Sequence, residues 1–154
     1  MTETKRSVIL LAHNIRSLWN VGSFFRTCDA FGVSKLILTG YTATPPRREI
    51  SKTAIGAEEW IPWEHHKDPL EVITQLKQEG WGIVGLEITD NAQGINNYNA
   101  PDKVCLIVGH EVKGVPKEVL EKCDEVVSIP MKGKKESLNV SVAAGVALNK
   151  ITNP

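Results

Sequence analysis

A chain of 154 residues is the size of one domain, long enough to bury a core without disulfide or metal staples. Its 42% hydrophobic and 23% charged residues are the proportions of a globular protein in water, and a formal net charge of zero argues against holding nucleic acid by bulk electrostatics. Any polyanion must therefore meet a local patch.

The opening MTETKRS leads into the short strand pattern SVILLA (7–12), whose apolar run is too brief for a signal sequence or a membrane span. The three cysteines, Cys28, Cys105 and Cys123, are odd in number and lack C-x-x-C spacing. They read as reduced thiols of a cytoplasmic protein. A helix is expected at 18–31, where Val21, Phe24, Phe25, Cys28 and Phe31 form one apolar stripe. Arg26 lies opposite that stripe, with Gly22 and Ala30 four residues to either side, so its face is expected to be clear of bulk. It reaches either solvent, with Asp29 at i+3, or a ligand.

The strand KLILT (35–39) precedes GYTATPPRRE, a loop excursion whose Arg47 and Arg48, with Lys52, make one basic cluster. Strands WIPW (60–63) and GIVGLEI (82–88) flank a helix at 68–79, and VCLIVG (104–109) precedes a helix at 116–122. EVVSIP (125–130) leads to a second basic cluster, Lys132, Lys134 and Lys135, and to a last helix at 139–151. This alternation predicts an α/β fold, a doubly wound, mostly parallel sheet, in one domain expected to span 1–154 with no separate extension.

GWGIVG (80–85) spells a dinucleotide fingerprint, but it closes a helix and enters a strand, the reverse of the order that presents a helix N-terminus to pyrophosphate. Neither the adjacent His65 and His66 nor the isolated His13 and His110 have the spacing of metal ligands. What survives is three polar clusters at strand ends or helix starts: Asn20 with Arg26, then Gly109, His110 and Glu111, then Ser137, Leu138 and Asn139. Strand ends line the ligand crevice of open α/β sheets, so the three can converge. For Ser137 and Asn139 a helix N-cap is the competing reading.

The three segments NxGxxxRT (20–27), IVGHEVKGVP (107–116) and SIPMKGKKESLNVSVAAGVAL (128–148) resemble, in order and spacing, the motifs of the SpoU (TrmH-like) family of SPOUT RNA methyltransferases. The resemblance implies a C-terminal deep trefoil knot, an obligate homodimer, and transfer of a methyl group from S-adenosylmethionine to an RNA ribose 2′-hydroxyl, with tRNA ahead of rRNA as substrate and no metal. It implies cofactor contacts at Leu86, Gly109, Ile129, Met131, Ser137 and Leu138, and catalytic positions at Arg26, Asn20, Glu111 and Asn139. The family's arginine is proposed as a general base oriented by the asparagine; an electrostatic clamp on substrate is the alternative at Arg26. Helix 139–151 is apolar nearly all round and carries Ala143, Ala144, Gly145 and Ala147, so it is expected to pack on a partner subunit with Ala144 in the contact. A catalytically silent RNA-binding homodimer and a nicotinamide enzyme are the other readings.

Overall fold

The computed structural model describes residues 6–154; the segment 1–5, which opens the polar leader, lies outside the described residues. The strands are β1 (Ser7–His13), β2 (Lys35–Thr39), β3 (Trp63–His66), β4 (Gly82–Leu86), β5 (Gln93–Gly94), β6 (Lys103–Val108) and β7 (Glu125–Ser128). They form one sheet in the order β3-β2-β1-β6-β4-β7-β5, parallel at every pairing. The helices are α1 (Leu18–Phe31), α2 (Arg48–Ala54), α3 (Pro69–Gln78), α4 (Lys117–Leu120) and α5 (Val140–Thr152).

Period-2 alternation sends the central strands' side chains to two separate cores. Val8, Leu10 and Ala12 of β1 and Val104, Leu106 and Val108 of β6 pack beneath α1, α2 and α5. Ile9, Leu11, Cys105 and Ile107 pack against α3 and α4 on the other face. The doubly wound arrangement read from the sequence is therefore observed. Burial pushes the thiols up, that of Cys123 to about 12, so all three cysteines are protonated core or near-core groups.

Helix ends follow local chemistry. The Ser17 hydroxyl accepts from Asn20 N to cap α1, and Gly32, at φ +66°, ends it; Asp68 and Pro69 start α3. Gly80, at φ +89°, follows α3, which leaves GWGIVG as a helix stop running into β4.

Four expectations change. The strand expected at WIPW begins instead at Trp63, because Gly56 to Trp60 wind into a 3-10 turn and Pro62 has no N–H to give a ladder. Within the loop excursion a seven-residue helix, α2, starts at Arg48. The face around Arg26 is only half cleared: a Cβ on Gly22 would collide with Thr53 Oγ1 and the Ile50 carbonyl, so this glycine admits α2 against α1. Finally, Ala144 is fully buried in the chain's own core with Ala147, Leu148 and Ile151. The side of α5 left to solvent presents Val142 and Val146, 52% and 41% exposed, and the exposed Asn149.

Candidate active site

Because every pairing is parallel, the loops after β1, β4, β6 and β7 all leave the sheet at one edge. Between the last three lies an open cleft of about 680 Å³ counted to its mouth. Leu86, Gly109, Ile129, Met131, Ser137 and Leu138, the six expected cofactor contacts, all line it, together with Glu87, Ile88, His110, Glu111 and Ala143.

The 109–115 loop that forms one wall is folded by two acceptors that take three N–H bonds. His110 Nδ1 accepts from Val112 N and Lys113 N, each at 3.0 Å. Glu87 Oε2 accepts from Val115 N at 2.8 Å, and its carboxylate fills the space that a Cβ on Gly114 (φ +71°) would need. Gly109, an expected ligand contact that lines the cleft, is also approached closely by its own loop: a Cβ there would stand 2.6 Å from the Gly114 carbonyl carbon and 2.7 Å from Val115 N.

Glu111 turns away from this loop towards α1. Its Oε1 accepts from Arg16 N (2.8 Å), and its Oε2 accepts from Ser17 N (2.8 Å) and Asn20 Nδ2 (2.9 Å). Burial opposes the charged form, but the Arg16 and Ser17 N–H groups and the Asn20 amide outweigh it and hold the carboxyl below the ordinary carboxylate range. Asn20, almost wholly buried, offers its Oδ1 to Asn139 Nδ2 at 3.5 Å. Asn139 in turn caps α5, its Oδ1 accepting from Ser141 N (2.9 Å), Ser141 Oγ (2.6 Å) and Val142 N (3.4 Å). One polar chain, Glu111 to Asn20 to Asn139, thus ties together the three segments singled out in the sequence. The N-cap reading holds for Asn139 and not for Ser137, which faces the cleft.

Arg26 is not drawn in. It stands six residues beyond Asn20, about 9 Å along α1 at helical rise. It is exposed, lines no part of the cleft, and makes no hydrogen bond or ion pair among the described residues. Asp29, the acid at i+3, accepts instead from Trp60 Nε1 at 2.7 Å. Glu87 was missed by sequence reasoning. The signal was present: an acid immediately follows the apolar GIVGL, as Glu111 follows VCLIVGH.

The sequence pattern of the SpoU rRNA Methylase family matches residues 7–149. The chain belongs to the SpoU family. Among its SpoU relatives, the 23S rRNA (guanosine-2'-O-)-methyltransferase RlmB of Neisseria meningitidis is 33% identical over 93% of this chain and 57% of its own length. The tRNA (guanosine(18)-2'-O)-methyltransferase of Aquifex aeolicus is 31% identical over 96% of this chain and 70% of its own. The crystal structure of the A. aeolicus TrmH/SpoU tRNA modifying enzyme superposes with a TM-score of 0.85 at 30% identity, covering 96% of this chain and 75% of that one. The AdoMet complex of the SpoU methyltransferase AviRb from Streptomyces viridochromogenes superposes at 0.87 with 25% identity, over 95% and 59%. The chain thus spans between just over half and three quarters of these SpoU proteins. Among the described residues no helix is long and apolar enough to cross a membrane.

Proposed function

We propose that the protein is an S-adenosylmethionine-dependent RNA ribose 2′-O-methyltransferase of the cytoplasm. The observation that carries this reading is the cleft at the ends of β4, β6 and β7, lined by six residues of the family's cofactor positions and adjoining the Glu111–Asn20–Asn139 chain. The cleft suits the cofactor: Leu86, Ile129, Met131 and Leu138 offer apolar walls to the adenine, while the Ser137 hydroxyl and loop backbone offer polar edges. When bound there, S-adenosylmethionine supplies a methyl group activated by its sulfonium.

The protein's own part is positional and electrostatic. Asn20, held by Glu111, fixes the start of α1 and, through it, the bearing of Arg26. The exposed Arg26 guanidinium is free to clamp a substrate phosphate and to favour the developing alkoxide; a guanidinium has five N–H donors and no acceptor, so it is unsuited to remove the proton.

The insertion of β7 between β4 and β5, earlier elements of the chain, supports a trefoil knot in the C-terminal segment. The solvent-facing valines of α5 support a homodimer. The proposed substrate is tRNA; rRNA is a second reading, favoured by the 33% identity to the Neisseria enzyme. Calorimetry should give S-adenosylmethionine binding and no NAD binding. Mass-spectrometric mapping of total RNA should then show one ribose methyl mark that depends on the protein. A folded protein that binds no S-adenosylmethionine would remove the central claim.

A further inference from the structure

The loop after β2 is fixed far more firmly than a surface loop requires. Gly40 N donates to the His66 and Lys67 carbonyls (both 3.2 Å), and His65 Nε2 lies 2.9 Å from Gly40 O. Tyr41 N donates to Asn14 Oδ1 at 3.1 Å. Thr42, buried, accepts from Ile15 N at 2.9 Å and donates to Thr39 O at 2.8 Å. Asn14 itself holds φ +53°, and Gly40, at φ +66°, has no Cβ where the Asn14 amide sits. Two left-handed residues and a buried threonine therefore fix the backbone on both sides of a side chain that touches little: Tyr41 is 61% exposed, and its hydroxyl has no partner among the described residues.

The excursion that begins with this aromatic also carries charge. Arg47, Arg48 and Lys52 are exposed, and the one ion pair among them, Arg47 to Glu49, is long at 3.9 Å. The Tyr41 loop is also joined to the site. Asn14, which holds Tyr41, opens the same loop whose Arg16 and Ser17 N–H groups are gripped by Glu111.

We propose that Tyr41 is a stacking platform for an unpaired RNA base next to the methylated nucleotide, with Arg47, Arg48 and Lys52 engaging the adjoining phosphates. This rests on the ribose-methylation reading above. A 2′-hydroxyl presented to an active site must come from a strand drawn out of its stack, and its neighbour base then lacks a face to lie on. An aromatic ring supplies one without regard to sequence, and tyrosine, with two side-chain torsions, loses little entropy in doing so.

The test uses the full chain and fluorescein-labelled oligoadenylate, with an abasic oligomer of the same length, read by anisotropy over a salt series. Tyr41→Ala should weaken oligoadenylate binding roughly five- to hundredfold, the span of 1–3 kcal/mol per stacked base, and leave abasic binding unchanged. Tyr41→Trp should restore it. The Arg47→Ala, Arg48→Ala double variant should weaken both oligomers and lower the salt slope by about 1.4. Urea midpoints and S-adenosylmethionine affinity should stay at wild-type values throughout. Equal losses on the two oligomers, or wild-type binding by Tyr41→Ala, would overturn the platform while ribose methylation stood. Tyr41-dependent binding with no methyl transfer to any RNA would instead sink the methylation reading and keep the platform.

Discussion

Arg26 is the single cation of α1, and no ion pair neutralises it among the described residues. If it clamps phosphate and stabilises alkoxide charge, Arg26→Lys keeps the charge, loses the bidentate fork and retains partial activity. Arg26→Ala should lose about 3 kcal/mol of transition-state stabilisation, on the order of a hundredfold in rate. Cofactor affinity should not move in either, because α1 contributes no residue to the cleft. Single-turnover methylation against pH checks this: a new titration limb in the lysine variant would mean that position 26 acts as a base. A second prediction concerns His13, buried with Nδ1 2.9 Å from Thr39 Oγ1. Burial lowers its pKa below 6.5, against smaller raising effects of Glu118 and Asp68. As pH falls below about 6.5 the unfolded chain takes up a proton there that the folded chain refuses, so stability declines until the folded value is passed. The urea midpoint should fall across that window and flatten in His13→Gln; an unchanged slope would assign it to other groups.

At the level of elements, the joint between α1 and α2 rests on Gly22. Alanine in mid-helix gains about 1 kcal/mol of propensity over glycine. Here the added Cβ meets backbone of α2, the Ile50 carbonyl and Ala54 N, which cannot rotate aside. Overpacking should win, with a net cost of about 1–3 kcal/mol in urea unfolding; a stabilised Gly22→Ala would show that α2 can shift freely. The same joint marks where sequence reasoning stops. The long elements were legible because burial wrote a period into them: four residues of the α1 stripe are fully buried, and β1 and β6 are apolar on both faces. In α2 only Ile50 and Ala54 are buried, too few to register a helical repeat, and β3 reads WEHH because an edge strand buries almost nothing. The cleft's lining was legible through the family motifs. Glu87's grip on Val115 and Gly109's contact with its own loop were not, since each joins backbone segments whose proximity exists only once the chain has folded.

For the whole molecule, the question put to Ala144 belongs to Val146. Ala144→Lys would bury a charge in the core of a single chain and should abolish folding. Val146→Lys adds its charge at a site 41% exposed within the chain, so the fold should survive while a dimer formed through α5 does not. Light scattering at micromolar concentration should find dimer for the wild type and folded monomer for Val146→Lys; a dimeric variant would move the interface off this helix. The order β3-β2-β1-β6-β4-β7-β5 also has a consequence in time. A nascent chain leaving the ribosome can assemble β1, β2 and β3 as a contiguous patch, yet β4 has no neighbour until β6 is made, and β5 none until β7 arrives. The cleft between the β4, β6 and β7 loops is thus the last region to acquire its walls, and a ligand that fills it rewards the completion of synthesis, not its beginning.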